Sequence, residues 1–195
     1  MSQSLSIVET HAWQQLQGSP TDTGSAWRHL TFCSIDSAAR PQARMLILRQ
    51  ADLATRELEF HTDVRSDKWH ELAGNSAVTV VGYDVEARLQ IRLNGTALRH
   101  GPGTEIASQA WHRLSGWTRT TYCGGPPGDT MVQRPPTFSS EPPPNQTKAG
   151  EKVFGVIVLK AHFLDWFMHE RGNLKRAQFT YADDGTLTSS AWVTP

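Results

Sequence analysis

The chain has 195 residues, enough for one well-buried core and short of what two independent domains usually need, so we expect one domain over residues 1–195. Nineteen basic side chains balance nineteen acidic ones, and a neutral chain lacks the positive field that holds a nucleic acid. No apolar run approaches the length of a membrane span, and Met1–Thr10 lacks the features of a signal peptide. We therefore expect a cytoplasmic protein that binds neither nucleic acid nor membrane.

The first 73 residues predict a helix, three strands and a second helix. Apolar residues at helical spacing run over Ser6–Leu16 and stop near Gly18, which is typical of a short amphipathic helix. Runs of β-forming residues predict the strands Trp27–Ile35, Ala43–Leu48 and Glu57–Thr62. A turn over Asp36–Arg40 joins the first two strands, and a second helix is predicted over Asp67–Ala73.

The central strands show the alternation of a sheet with one buried face. Val78–Tyr83 and Leu89–Leu98 are both strongly β-forming. The second alternates apolar with polar residues, which puts Gln90 on its polar face. A third helix is predicted over Thr104–Leu114.

The stretch from Cys123 to Gly150 is rich in proline and glycine and predicts a long loop. It is either a surface excursion without chemistry or a lid over a pocket, since structureless loops of this length are uncommon unless functional or disordered. The segments that follow predict a strand at Val153–Leu159, a short aromatic-rich piece at Ala161–Trp166, and a closing hairpin formed by Gln178–Tyr181 and Thr188–Val193. So many short strands indicate a mainly β domain with peripheral α-helices, either a barrel or a sandwich.

The segment Phe60–Lys68 ends a strand, turns and opens a helix, and such a junction is a natural anion site. The Ser66 hydroxyl, the Lys68 ammonium and the Arg65 guanidinium are candidate ligands of a phosphate. The alternative is that Ser66 simply caps the helix. Elsewhere, neither the two isolated cysteines nor His162 and His169 have the spacing of metal ligands, so no metal is predicted.

The strand Arg44–Arg49, the Phe-x-Thr strand with its Ser-x-Lys turn and the later Gln90 occur in an order that resembles the pyridoxamine 5′-phosphate oxidase-like family. That resemblance implies a Greek-key antiparallel split β-barrel that binds FMN. It also implies a homodimer with FMN at the subunit interface, and hydride transfer through flavin N5 to or from a small-molecule substrate. Its implied cofactor contacts are Arg44, Met45, Leu46, Ile47, His61, Thr62, Arg65, Ser66, Lys68, Gln90 and Phe167.

This chain departs from the oxidase at positions that matter for function. Ser66-Asp67-Lys68 stands where the oxidase commonly has Ser-Arg-Lys, so one phosphate cation is missing, and Arg65 is the candidate to replace it. His61 replaces the tyrosine of a Tyr-Thr pair, either as a structural contact or in proton transfer.

The substrate contacts differ as well, because Asn173 and Lys175 occupy the places of the oxidase's Arg-x-His pair. The resemblance assigns weak candidate substrate contacts to Arg49, Trp111, Arg113, Asn173 and Lys175, with packing for Trp111 and solvent exposure for Arg113 as the alternatives. Catalytic residues stay unassigned. An FMN-dependent oxidoreductase of unknown substrate is expected; the alternative is a protein that binds or carries FMN, haem or a deazaflavin without turnover.

Overall fold

The computed structural model describes residues 4–129 and 144–195. Its helices are α1 (Leu5–Gly18), α2 (Asp67–Gly74), α3 (Glu105–Arg113), α4 (Gly116–Thr120) and α5 (Pro144–Glu151). Its strands are β1 (His29–Ile35), β2 (Pro41–Asp52), β3 (Glu57–Asp63), β4 (Ala77–Asp84), β5 (Leu89–His100), β6 (Phe154–Glu170), β7 (Asn173–Tyr181) and β8 (Leu187–Val193).

The strands form a closed antiparallel barrel, which confirms the mainly β prediction and decides for a barrel over a sandwich. The order is β3-β2-β1-β4-β5-β6, and β3 pairs with β6 to close the ring. β7 and β8 continue the sheet from β6 beyond the barrel. Alternate residues of each strand fill the interior, where Phe32 and Phe60 meet edge to face with ring centroids 5.6 Å apart.

Helix α1 closes one end of the barrel through a buried charged network. The Glu9 carboxylate forms an ion pair with Arg56 at 3.0 Å and accepts a hydrogen bond from the Tyr181 hydroxyl, also at 3.0 Å. The indole N–H of Trp13 donates to the same hydroxyl at 2.9 Å. The helix predicted from apolar spacing is therefore also fixed by polar partners on β7 and on the β2–β3 turn.

Strand β6 corrects the prediction of two separate pieces broken near residue 160. It is one continuous strand, and the break corresponds to a register shift against β5 between Asn94 and Gly95. A Cβ at Gly95 would lie 2.0 Å from the Lys160 carbonyl oxygen, so the strands approach too closely there for any side chain. The sequence shows the irregularity, but its cause lies in the pairing.

The predicted loop over residues 123–150 also needs correction at its C-terminal end. Residues 144–151 form α5 instead of loop. Residues 123–129 are irregular, as predicted, and residues 130–143 lie outside the described part of the chain.

Candidate functional site

A buried pair of hydroxyl groups lies where β3 leads into α2. The side chains of Thr62 and Ser66 are buried, and their oxygens lie 3.2 Å apart. Ser66 precedes α2, yet its hydroxyl donates to the Asp63 carbonyl at 2.7 Å and makes no capping bond to the helix. The Nζ atom of Lys68 lies 3.4 Å from the Thr62 hydroxyl. We call Thr62, Ser66 and Lys68 the cradle.

Lys68 brings a positive charge to this partly buried place. Burial lowers its pKa, and the nearby charge of Arg44 lowers it further. Within the described residues, no carboxylate lies at ion-pair distance from its ammonium. A half-buried cation beside two hydroxyls, without a carboxylate to neutralise it, fits the phosphate group of FMN, which takes charge-assisted hydrogen bonds.

Arg44 reaches the same region from β2. It pairs in register with Phe32 of β1, so it lies on the side of β2 that faces the barrel interior. Its guanidinium forms an ion pair with Glu71 of α2 at 3.0 Å and also bonds the Ser34 hydroxyl. The structure thus brings this predicted cation close to Lys68, with its charge already balanced by a carboxylate.

Arg65 is engaged elsewhere. Its Nη2 atom lies 2.7 Å from Asp63 Oδ2, and its Nε atom lies 3.0 Å from Asp63 Oδ1. The same Nη2 atom donates to the carbonyl of Gly124 at 3.1 Å. The hydrogen bond to Asp63 raises the pKa of Arg65. Its charge is therefore matched by Asp63, and it ties the segment after α4 to the turn before the cradle.

The three predicted contacts after Arg44 alternate in direction along β2. Met45 is 59% exposed, with its sulfur 3.3 Å from the Thr31 hydroxyl on the outer face of the barrel. Leu46 packs against the core, and Ile47 returns to the outer face opposite His29.

A second polar group lies on the outer face of β3. His61 Nε2 lies 2.9 Å from Glu59 Oε1, which also accepts from Arg113 of α3 at 3.1 Å. Burial lowers the pKa of His61, outweighing the hydrogen bond to Glu59. Burial alone would raise the pKa of Glu59, but His61 and Arg113 lower it overall. Because burial favours the neutral imidazole and the partner is a carboxylate, Nε2 carries the proton, and among the described residues the buried Nδ1 atom has no hydrogen-bond partner.

Arg49 lies beside Glu59 and His61. We call Arg49, Glu59, His61 and Arg113 together the outer group. Burial lowers the pKa of Arg49, while Tyr122 and Glu59 act to raise it and Arg28 lowers it further. Among the described residues its guanidinium has no hydrogen bond and no carboxylate at ion-pair distance. It is thus a partly buried cation free to meet an anion.

Trp111 supports the outer group by packing. It is 3% exposed, and its ring lies against Phe154 and Tyr122 at centroid distances of 5.3 and 5.9 Å. His61 meets the same Phe154 edge to face at 5.0 Å. The tryptophan therefore anchors α3 to β6, and Arg113 at the end of α3 reaches Glu59 from that anchor.

Gln90 and Phe167 form a third group on the outer face of β5 and β6, where they are direct register partners. No hydrogen bond, ion pair or ring contact joins them to the cradle within the described residues. Along β5, Gln90 lies near the start, whereas His100 at the end pairs with Val156 next to the strand that carries Thr62. The predicted cofactor contacts of one chain thus fall into separate places.

Asn173 and Lys175 lie apart from all these groups, at the turn between β6 and β7. Asn173 is exposed and donates to Glu170 at 2.7 Å. Lys175 pairs in register with Met168 and has no ion pair among the described residues.

Sequence reasoning missed the carboxylates that hold these cations, and it missed two arginines, Arg92 and Arg176, as site residues. Asp165 is 1% exposed and receives hydrogen bonds from Arg92 and Arg176. A lone aspartate in the apolar run of β6 was the available signal, because a buried charge needs partners. Glu59 and Glu71 carried no such signal, since both occur in ordinary polar sequence.

Residues 4–129 and 144–195 contain neither a side-chain cluster suited to a metal ion nor a helix suited to a membrane span. No group of three or more histidine, cysteine, aspartate or glutamate side chains there has the geometry to hold a metal ion. No helix there is long and apolar enough to cross a membrane.

Comparison with known proteins finds similarity in the first half of the chain. Residues 10–101 match the family model described as pyridoxamine 5′-phosphate oxidase, FMN-binding domain. The pyridoxine/pyridoxamine 5′-phosphate oxidase of Paraburkholderia phymatum is 32% identical over 73 residues, which are 37% of this chain and 34% of that enzyme. The enzyme of Burkholderia mallei is 33% identical over 66 residues, 34% of this chain and 30% of its own. The match therefore spans about a third of the length of these curated relatives.

Solved structures share the fold. A pyridoxamine 5′-phosphate oxidase-related, FMN-binding protein from Nostoc punctiforme superposes with a TM-score of 0.74 at 20% identity, over 100% of both chains. PhzG from Burkholderia lata gives a TM-score of 0.67 at 16% identity, over 86% of this chain and 82% of its own. The chain therefore has the barrel fold of these proteins, and residues 10–101, which include the cradle, carry its match to the FMN-binding domain of pyridoxamine 5′-phosphate oxidase.

Proposed function

We propose that this chain is an FMN-dependent oxidoreductase acting on a small anionic molecule. The observation that carries the cofactor assignment is the cradle, in which the half-buried Lys68 lies beside the Thr62 and Ser66 hydroxyls and has no carboxylate partner among the described residues. There the chain holds the FMN phosphate, with Arg44 as a nearby cation. When bound, FMN supplies hydride transfer at N5, and the protein contributes orientation and hydrogen bonds.

The active unit in this proposal is a homodimer with FMN at the subunit interface. Support comes from the separation of the candidate contacts, because Gln90 and Phe167 lie on the outer sheet face away from the cradle. Pairing two chains brings the outer face of one against the cradle of the other. In that arrangement Gln90 hydrogen-bonds the polar edge of the flavin ring, and Phe167 packs against it.

The outer group is the proposed substrate site. Arg49 has a charge without a partner among the described residues, so it suits a carboxylate or phosphate of the substrate. Neutral His61 donates from Nε2 to Glu59 and so helps to fix the position of this carboxylate beside Arg49. Arg113 holds Glu59 ionised, which fixes the tautomer.

A second candidate is FMN binding without turnover, favoured by the exposed Asn173 at the position of the oxidase's substrate arginine. Two measurements separate the candidates. A yellow protein with flavin absorbance establishes binding, and a colourless preparation that takes up no added FMN contradicts both. Anaerobic bleaching of the flavin by one member of a panel of small anionic reductants supports the oxidoreductase, provided that Arg49→Gln slows the bleaching. The control is Arg171→Gln, which replaces an exposed arginine at a turn and must leave the rate unchanged.

A further inference from the structure

Two arginines share one buried carboxylate on the outer sheet face. Asp165 accepts from Arg92 Nη2 at 2.9 Å and from Arg176 through two bonds, at 2.8 Å from Nε and 2.7 Å from Nη2. The carboxylate is 1% exposed, whereas the side chains of Arg92 and Arg176 are 38% and 30% exposed. The group therefore carries a net charge of about +1 with both guanidinium groups in reach of solvent.

This charge lies beside the proposed flavin-ring contacts. Arg176 pairs in register with Phe167, which pairs in register with Gln90, so the three side chains cross one face of the sheet in a row. The Arg176 guanidinium lies 5.7 Å from the centre of the Phe167 ring. A ligand that stacks on Phe167 and bonds Gln90 thus has a fixed cation as its next neighbour.

Arg176 is not needed to neutralise Asp165. Arg92 alone supplies one positive charge to the one carboxylate. The second guanidinium adds positive charge, and its two parallel bonds to Asp165 fix its orientation. Asp165 thereby acts as a positioning residue for a cation.

We infer that Arg176, held by Asp165, makes this chain bind reduced FMN more tightly than oxidised FMN. Reduction adds electron density to the flavin ring, and a cation beside the ring stabilises the form with more negative charge. The inference rests on the proposed function, because it takes Gln90 and Phe167 as contacts of the ring. It adds a residue that sets the balance between the two redox forms.

The test titrates oxidised FMN and dithionite-reduced FMN into the apoprotein under anaerobic conditions. In wild type and in Arg176→Lys, the ratio of the two affinities stays similar because the charge is kept. In Arg176→Gln the ratio falls about tenfold in favour of oxidised FMN, which corresponds to about 30 mV for a two-electron couple. Arg171→Gln, which removes an exposed arginine at the end of the same hairpin, leaves the ratio unchanged.

The outcomes separate this inference from the proposed function. Equal weakening of both redox forms by Arg176→Gln means a structural role only and overturns the inference, as does an unchanged ratio. Thermal unfolding of the apoprotein shows whether Arg176→Gln folds. If it does not, Arg176→Met is used in its place, with Arg176→Lys as the control that keeps the charge. A wild type that binds no FMN overturns the proposed function itself.

Discussion

Lys68 illustrates how one side chain defines the cradle. Its ammonium is half buried and, among the described residues, has only the Thr62 hydroxyl as a hydrogen-bond partner. A phosphate that reaches it therefore gains a charge-assisted bond without first displacing a described carboxylate. Arg44 and Arg65 differ, because Glu71 and Asp63 already hold them. Among Lys68, Arg44 and Arg65, we therefore expect Lys68 to contribute most to the free energy of phosphate binding.

Lys68→Ala is therefore expected to weaken FMN binding by about 1.5–3 kcal/mol, the worth of a hydrogen bond to a charged group. Riboflavin lacks the phosphate, so wild type and the variant are expected to bind it almost equally. Titration of both ligands by flavin fluorescence checks this. Lys160→Ala, on β6 opposite Glu57, is the control. An equal loss of riboflavin affinity in Lys68→Ala would contradict the phosphate assignment.

The single side chain of His61 makes the stability of the fold depend on pH. Burial lowers its pKa in the folded protein, so below its unfolded pKa of about 6.5 the unfolded chain binds a proton that the folded one resists. Stability is therefore lost as pH falls through that range, down to the folded pKa. His61→Gln removes the group, so the drop in melting temperature between about pH 8 and about pH 5.5 is expected to be smaller in this variant.

The control for this pH effect is His70→Gln, an exposed histidine on α2. We expect it to keep the wild-type drop in melting temperature. If His61→Gln and His70→Gln behave alike, burial of the imidazole does not govern the pH response. The interval stays above the range in which carboxylates such as Glu59 titrate, so the difference reports on histidine.

At the scale of elements, the close pairing of β5 with β6 at the register shift depends on a position without a side chain. Gly95 has the Lys160 carbonyl oxygen 2.0 Å from where its Cβ would be. Gly95→Ala must push the strands apart at the register shift, which we expect to cost about 1–3 kcal/mol by overpacking. Urea unfolding measures it. Gly74→Ala, where a Cβ meets nothing within 4 Å, is the matched control and is expected to be nearly neutral.

The elements also show what sequence can and cannot predict. Helices α1 and α2 and the strands β3, β4 and β5 follow from periodicity and local propensity, because each signal lies within its own segment. The unbroken course of β6 does not, since it depends on pairing with β3 in one half and β7 in the other. Helix α5 could not be predicted either, because the proline-rich composition around it favours a loop.

For the whole molecule, too, some parts of the site can be predicted from local sequence and others depend on strand pairing. The cradle is readable because Thr62, Ser66 and Lys68 lie within seven consecutive residues, so a strand end and a helix start bring them together. The Arg92–Asp165–Arg176 group depends on the register of β5, β6 and β7, and β5 is distant from β6 in sequence. Reading it from one sequence would require knowing which strands pair before knowing the fold.

Substrate choice is decided at the scale of the whole molecule, since the cradle, the outer group and the β6–β7 turn come from different parts of the barrel. Asn173 bonds Glu170 in an exposed turn, and Lys175 lies with it, away from Arg49 and His61. The oxidase's Arg-x-His pair is absent there, so we expect pyridoxine or pyridoxamine 5′-phosphate to reduce the bound flavin slowly or not at all. Each missing charge-assisted bond lowers substrate binding by about 1.5–3 kcal/mol.

Anaerobic stopped-flow mixing of the FMN-loaded protein with either vitamer, followed by flavin absorbance, measures this rate directly. Dithionite added to the same sample must bleach it, which shows that the flavin is accessible to reductants and that a slow reaction reflects the substrate. The double variant Asn173→Arg/Lys175→His, which restores the oxidase's residue types, is expected to gain little, because its side chains start from an exposed turn with Glu170 as the competing partner. Rapid reduction of the wild type by a vitamer would instead mean that Arg49 and the outer group suffice for recognition of the phosphorylated ring, and the chain would then be an oxidase of that substrate.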